Sequence, residues 1–190
     1  MNRSGKFLLI ITSSTLIFSG CTKTKKADYP IQPVPFTSVK LTDIFWAPRI
    51  KKNAEVTIPI AFKYCESTGR VKNFEIAGEL DTGKFRTIYP FDDSDVYKIL
   101  EGAAYSLHTY PDVKLEMYCD SIIRIIGMAQ EEDGYLMTWR KIDPLSPPTS
   151  WSGGKERWSD ISNGHELYNM GHLYEAAVAY YLATGKKKLL

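Results

Sequence analysis

Apolar residues recur at helical spacing in three parts of the chain, and each part predicts an amphipathic helix. The first stripe spans 96–107, where Ser94 stands at the position of an N-cap. The second spans 115–129 and closes at an Asp-Gly pair that can turn the chain. The third spans about 164–183, and Gly185 follows it as the kind of residue that ends many helices. The short link between the first two predicts an antiparallel helical hairpin.

The segments before these helices carry weaker patterns. Residues 36–46 alternate apolar and polar side chains, which predicts a strand or an extended segment. A helix is predicted around 49–66, although Pro48 and Pro59 punctuate this part of the chain. Residues 67–70 predict a turn, and the glycines and proline within 71–92 predict irregular structure.

A long loop and a short basic-apolar run complete the pattern. Residues 135–163 predict a loop, whose three tryptophans argue against disorder because such large apolar groups seek cover. The sequence KKKLL at 186–190 predicts the start of a further helix.

A faint internal repeat supports an all-α fold. At an offset of 74 residues, Glu101 falls on Glu175 and Ala103 on Ala177. The repeat predicts a series of helical hairpins, each of which needs neighbours to cover its apolar face. We therefore expect residues 36–190 to be the N-terminal part of a larger helical domain.

Composition and charge fit an ordinary globular protein. Hydrophobic residues make up 44% of the chain and charged residues 24%, which supplies enough apolar mass for a core. The net charge is only +2, without the clustered basic face that nucleic-acid binding requires. Nucleic acid is therefore not expected as a partner.

The N-terminus has the pattern of a secretion signal. Two basic residues precede a short apolar run, which ends in FSGC at 18–21. A small residue followed by Cys21 is typical of a bacterial lipoprotein processing site, although an incidental cysteine after an ordinary signal peptide remains the alternative. We expect a signal peptide at 1–20, a lipid on Cys21 and a polar tether at 21–35. The protein would then be exported and membrane-anchored, in the periplasm or at the cell surface.

The other cysteines and the two histidines of the third helix do not form a metal motif. Cys65 and Cys119 could pair in an oxidising compartment, but the helical stripe around Cys119 favours a buried free thiol. His165 and His172 are two helical turns apart, roughly 10 Å, which is too far for one ion held at about 2 Å. Asn169 stands where a zinc-protease helix needs its second histidine.

Several blocks, in order, carry a family resemblance. The sequence contains FTSVKLTDIFWAPRI, GRVKNF, FDDSDVYKILEGAAYSL, AQEEDGYLMT, ERWSDI and HELYNMGHLYEAAVAYYLATGKKKLL. Together they resemble the start of the catalytic domain of glycoside hydrolase family 127, the bacterial β-L-arabinofuranosidases. The resemblance covers roughly 36–190.

The resemblance implies a fold, a reaction and a cofactor. The fold would be an (α/α)6 barrel of helical hairpins, of which this chain forms an incomplete part. The reaction would release L-arabinofuranose from arabinose-containing glycans with retention, using a zinc-bound cysteine as nucleophile and a glutamate as acid/base. In the family the zinc ligands lie later in the domain. We therefore expect no catalytic residue and no metal ligand within this chain, and no activity from these residues alone.

The resemblance also singles out a sugar-binding residue. It places His165 at the sugar, with Tyr168 on the same helix face as a further candidate. Asp93 and Asp95 lie at a helix start, where capping is the favoured interpretation and support of the sugar site the alternative. For His172, a satisfied imidazole in the core is expected. The loop tryptophans could stack on a sugar ring or simply pack over the end of the barrel.

Two other functions stay open from the sequence. Another glycosidase built from helical hairpins could act on a different sugar. A lipoprotein that only binds glycan is an alternative outside enzyme chemistry.

The lipid anchor is directly testable. In cells fed a fatty-acid probe, the wild-type protein should incorporate label and Cys21→Ser should not, because lipidation requires the thiol. Equally low labelling of both proteins would contradict the lipoprotein prediction and favour simple secretion.

Overall fold

In this computed structural model, residues 29–190 are described, and they contain helices and turns but no strand. The all-α prediction is confirmed for this part of the chain. The predicted signal peptide, Cys21 and most of the tether lie outside the described residues. The chain divides into a unit up to Pro33 and a compact unit Val34–Leu190. In the first, the Gln32 amide donates to the backbone oxygen of Tyr29 at 2.8 Å.

The compact unit contains seven α-helices among its described residues. They are α1 (Trp46–Lys52), α2 (Ile58–Ser67), α3 (Arg70–Ala77), α4 (Asp93–Thr109), α5 (Val113–Ala129), α6 (Thr138–Ile142) and α7 (Glu166–Thr184).

The prolines predicted to interrupt the first helix are accommodated. A π-helical segment, Asn53–Thr57, joins α1 to α2 without a break. Pro48 lies in the first turn of α1, where its missing N–H costs no hydrogen bond. Pro59 is the second residue after the π segment, and the wider π turn makes room for a ring that an unbroken α-helix would exclude. The helix predicted at 49–66 is confirmed.

Of the two alternatives predicted for 36–46, the strand is not formed, and a 3₁₀ turn interrupts the extended segment. A single 3₁₀ turn, Phe36–Ser38, is followed by a non-helical stretch up to α1. The Asp43 carboxylate accepts from the backbone N–H groups of Phe45 and Trp46, at 2.8 and 2.5 Å, and turns the chain into α1. The alternating apolar residues do not form one face of a sheet; Ile44, for example, is 97% exposed.

Part of the segment predicted to be irregular is helical. Residues 78–92 are turns and coil, but α3 occupies 70–77 after a turn at Gly69. Arg70 ties the start of α3 to the start of α4 through ion pairs with Asp92 and Asp95, at 2.8 and 2.7 Å. An eight-residue helix shows too few turns for its period to stand out in a sequence.

The three long helices form the predicted hairpin and a parallel neighbour. Lys98 of α4 contacts Tyr168 of α7, and Glu101, one turn later in α4, lies near Glu175, which comes later in α7. The contacts advance in the same direction along both helices, so the two helices run parallel. The first half of α5 meets the end of α7, where the Tyr180 hydroxyl donates to Asp120 at 2.9 Å and Lys186, just after α7, pairs with Asp120 at 2.6 Å. Therefore α5 runs antiparallel to both.

One core cluster unites α2, α3, α4, α5 and α7. Cys65 and Cys119 are buried in it as free thiols, which confirms the prediction for Cys119. No helix in the part of the chain that the structure describes is long and apolar enough to cross a membrane.

The loop and the last residues depart partly from prediction. The segment 135–163 contains the short helix α6, and only Trp139 of its tryptophans is buried. Trp151 and Trp158 remain 48% and 43% exposed. Gly185 ends α7 in the left-handed conformation, as predicted. Residues 186–190 contain a turn at 188–189 where the start of a helix was predicted.

The turn before α3 depends on a glycine. Gly69 has φ +88°, and a Cβ there would lie 2.7 Å from the Cβ of Arg86. We expect Gly69→Ala to lower the free energy of unfolding by about 1–3 kcal/mol, measured in urea. Gly127 lies inside α5 with open space around it. The matched change Gly127→Ala should instead stabilise by about 0.5–1 kcal/mol. Equal effects at both positions would contradict the requirement for glycine at this turn.

Candidate functional site

Four rings meet where α7 begins, and we call them the aromatic cluster: Phe91, Trp151, His165 and Tyr168. The ring centroid of His165 lies 4.9 Å from Phe91, 6.1 Å from Trp151 and 5.8 Å from Tyr168. Trp151 and Tyr168 are about half exposed. The cluster therefore presents aromatic surface and one imidazole to solvent, next to the start of α7.

The backbone at His165 is unusual. It adopts φ 58°, in the left-handed region that a residue with a side chain rarely occupies. Gly164 makes this turn possible, because a Cβ there would lie 2.5 Å from the backbone oxygen of Asp160. Strained backbone of this kind is concentrated at functional sites.

One hydrogen bond fixes the chemistry of the His165 ring. Nδ1 lies 2.6 Å from the backbone oxygen of Asn163. A carbonyl oxygen can only accept, so Nδ1 carries the proton and the neutral ring keeps Nε2 as an acceptor. The site therefore offers an acceptor nitrogen beside aromatic faces.

Two further candidates, Tyr168 and Asp95, are connected through Lys98. Lys98 Nζ donates to the Tyr168 hydroxyl at 2.8 Å and lies 3.7 Å from a carboxylate oxygen of Asp95. It also donates to the Ser94 hydroxyl at 3.0 Å. Lys98 thus links Asp95 to Tyr168, whose ring in turn contacts His165.

The predicted caps of α4 are not formed. Ser94 lies inside the first turn, and its hydroxyl donates to the backbone oxygen of Phe91 at 2.7 Å. Asp92 accepts instead from the backbone N–H of Tyr89 at 3.0 Å, in addition to its ion pair with Arg70. The side chains of Asp93 and Asp95 also bind outside their own helix. The cap prediction is therefore wrong, although acidic groups in the first turn still suit the helix dipole.

Asp93 lies beneath this surface. Its two carboxylate oxygens accept from the backbone N–H and the hydroxyl of Thr138, at 2.8 and 2.5 Å. Burial raises the pKa of Asp93 to about 6, against the lowering effect of the two hydrogen bonds from Thr138. In this arrangement Asp93 holds the start of α6.

Glu166 is a site residue that the sequence did not single out. It is the first residue of α7 and is buried, with the Tyr135 hydroxyl donating to one carboxylate oxygen. The backbone N–H of Trp158 donates to the other at 2.8 Å. Arg140 Nε lies 3.6 Å from the carboxylate, too long for a hydrogen bond. Glu166 thus holds both ends of the loop beside His165.

His172 is not the satisfied core residue that we expected. It is partly exposed, and its Nδ1 lies 3.2 Å from Glu175 in a geometry that makes no hydrogen bond. Glu101 of α4 approaches the same point. The sequence could not show that His172, Glu175 and Glu101 lie together, because Glu101 belongs to a different helix.

The described cysteines are buried thiols. Burial raises the pKa of the Cys65 thiol to about 11 and that of Cys119 to about 12, so both stay protonated at neutral pH. Both also lie in the core, away from the aromatic cluster.

Comparison with known proteins identifies the family. The profile of the β-L-arabinofuranosidase, GH127 catalytic domain matches residues 38–190. The chain is 44% identical, over 121 residues, to a non-reducing end β-L-arabinofuranosidase of Bifidobacterium longum subsp. longum. These matches all fall in one class of protein, the glycoside hydrolases. The chain belongs to the GH127 β-L-arabinofuranosidase family.

Solved structures agree with this assignment. A GH127 β-arabinofuranosidase superposes with a TM-score of 0.77 at 53% identity, over 85% of this chain and 25% of the other. A GH127 β-L-arabinofuranosidase from Geobacillus stearothermophilus T6 gives 0.72 at 37% identity, over 80% and 23%. The Bifidobacterium match covers 63% of this chain and 17% of that protein. The chain thus spans about a quarter or less of these relatives.

The buried Asp93 should make stability depend on pH. The pKa of Asp93 is about 6 in the folded protein, against an ordinary value of 3.8. Its favourable contribution to the free energy of unfolding is therefore complete below pH 3.8 and is lost as the pH rises through 6. We compare wild type with Asp93→Asn, which keeps an acceptor for the Thr138 N–H. The stability of wild type relative to the variant should fall by about 2–3 kcal/mol between pH 4 and 7.

The control is Asp133→Asn. The pKa of this exposed carboxyl is lowered, chiefly by the backbone N–H of Tyr135, so its pH trend has the opposite sign. A difference between wild type and Asp93→Asn that does not change with pH would contradict the assignment.

Proposed function

We propose that the complete protein is a glycoside hydrolase that releases L-arabinofuranose from the non-reducing ends of plant-type glycans. Its family membership over residues 38–190 carries the proposal. The naming of the Bifidobacterium relative as a non-reducing end β-L-arabinofuranosidase supports the sugar and the position of cleavage.

Within that enzyme, these residues form the first part of an (α/α)6 barrel. The helices α4 and α7 run parallel, and α5, which follows α4 in the sequence, runs antiparallel to both. Such a barrel is built by repeating this arrangement. The candidate site lies at the starts of α4 and α7, where their N-terminal ends meet the loop 135–163.

His165 is the proposed sugar contact. Its Nε2 is an acceptor in the neutral ring, so it would accept a hydrogen bond from a hydroxyl of the furanose. Trp151 and Tyr168 supply exposed aromatic faces on which an apolar side of the sugar can pack. Asp95 supports the site through Lys98, and Asp93 through Thr138.

The bond-breaking groups are proposed to lie outside these residues. The proposed retaining reaction uses a zinc-bound cysteine as nucleophile and a glutamate as acid/base. No step is assigned to Cys65 or Cys119, which are buried and protonated. The role of this chain is to bind and orient the sugar and to exclude water from one side of it. These residues alone should be inactive.

The proposed location follows from the N-terminal pattern. A lipid on Cys21 would anchor the protein to a membrane, with the enzyme exported to meet arabinose-containing oligosaccharides or polysaccharides. The polar, proline-containing residues 21–35 would serve as its tether.

The test uses the complete protein and an aryl β-L-arabinofuranoside. We expect His165→Ala to lower kcat/KM roughly ten- to a hundredfold, because one hydrogen bond in a shielded site is worth about 1–3 kcal/mol. The melting temperature and the zinc content should be retained, since the three rings that contact His165 lie outside the core cluster.

His108→Ala is the matched control. His108 lies at the other end of α4, where its Nε2 approaches the backbone oxygen of Thr37 at 3.2 Å. This variant should keep full activity. Full activity of His165→Ala, or loss of its zinc, would disprove the proposed role of His165, and no arabinose release by the wild-type protein would disprove the proposed reaction.

A further inference from the structure

Three potential metal ligands converge between α4 and α7. One ligand atom each from Glu101, His172 and Glu175 lies within 4.8 Å of the other two. His172 and Glu175 share a face of α7 because they are three residues apart, a spacing that helical metal sites use. Glu101 reaches the same point from the parallel helix α4. The 3.2 Å between His172 Nδ1 and the Glu175 carboxylate is close to the ligand–ligand distance around a tetrahedral ion with bonds of about 2 Å.

The donor atoms are free and oriented. Nδ1 of His172 is inaccessible to solvent and has no hydrogen-bond partner among the described residues. The edge-to-face contact with Tyr168, at 4.7 Å between ring centroids, holds the imidazole in place. On α4, the Tyr105 hydroxyl donates to one oxygen of Glu101 at 2.9 Å, which leaves the second oxygen available. Such an outer hydrogen bond is a common support for a metal ligand.

The charge of the group is unbalanced. Within the described part of the chain, neither Glu101 nor Glu175 forms an ion pair with a lysine or arginine; the only ion pair of either is that of Glu175 with His172. Lys98 is a turn away but binds Tyr168 and Ser94 instead. With His172 neutral, two negative charges face one point, and a divalent cation would neutralise them.

We infer that Glu101, His172 and Glu175 form a zinc site that joins α4 to α7. One imidazole and two carboxylates are a ligand set that suits Zn²⁺, with water completing a tetrahedron. Mg²⁺ should not compete well, because it prefers oxygen ligands in an octahedral arrangement. The competing occupant is a proton, since a charged His172 would pair with both glutamates.

The site would have a structural role beside the sugar site. Tyr168 contacts both His165 and His172, so an ion that fixes His172 also fixes one wall of the aromatic cluster. The inference does not depend on the proposed function, because its ligands and its measurement both lie within this chain.

Zinc content and affinity provide the test. The 190-residue chain carrying Cys21→Ser, which removes the thiol that lies outside the described residues, is dialysed against Zn²⁺ and then titrated in competition with a chromophoric chelator. We expect one zinc per chain, with a rise in melting temperature because the ion binds the folded state. His172→Ala and Glu175→Gln should each weaken binding by about tenfold or more. Mg²⁺ in excess should leave the bound zinc in place.

Two controls separate this site from the alternatives. His108→Ala removes an imidazole from α4 outside the group and should bind zinc as wild type does. Glu175 is 63% exposed, so Glu175→Gln should fold normally, as judged by circular dichroism. Replacing zinc with Co²⁺ should give visible bands without the thiolate charge-transfer bands that binding to Cys65 or Cys119 would produce.

Some outcomes would overturn the inference. These are no zinc bound at neutral pH, wild-type affinity in Glu175→Gln, or thiolate bands with Co²⁺. A raised NMR pKa of His172 in a chain that binds no zinc would identify the proton as the occupant.

Discussion

Two buried carboxylates at the starts of parallel helices hold the candidate site together. Asp93, first in α4, binds the backbone and hydroxyl of Thr138, and Glu166, first in α7, binds Tyr135 and Trp158. The loop 135–163, which crosses the N-terminal ends of α4 and α7, is therefore held by one carboxylate from each helix. Each carboxylate also lies in the first turn of its helix, near the positive end of the helix dipole. Without these anchors, the loop that carries Trp151 over His165 would lose its ties to the starts of both helices.

Much of the helical framework could be predicted from the sequence. The stripes at 96–107 and 115–129 and the glycine after α7 gave the three long helices, because long amphipathic helices bury one face and leave a periodic pattern. The free thiol at Cys119 followed from its place on such a stripe. Where the pattern was short or exposed it misled: α3 was missed, and the alternation at 36–46 had no sheet to pack on.

The site was predictable only in part, for a physical reason. His165 could be singled out by family resemblance, but its tautomer follows from the Asn163 carbonyl, which only the folded chain places there. The partners of Asp93 and Glu166 lie far away in sequence, so no local pattern could show that their side chains bind a crossing segment instead of capping helices. The internal repeat did carry a usable signal: Glu101 and Glu175, at equivalent positions, meet because equivalent residues of neighbouring parallel helices lie side by side.

The π segment at Asn53–Thr57 divides the first helix into two parts, α1 and α2, whose side chains point in different directions around the axis. A π turn holds one more residue than an α turn, so the helix on either side is offset by one position, about 100° of rotation. The buried face of α2, formed by Ile58, Phe62 and Cys65, therefore does not continue along α1, which has no buried residue. Deleting a single residue at 53–57 would restore one continuous register and swing Trp46 and its neighbours around the axis while leaving α2 on the core. The length of this segment, rather than its composition, decides which side of the first helix faces outward.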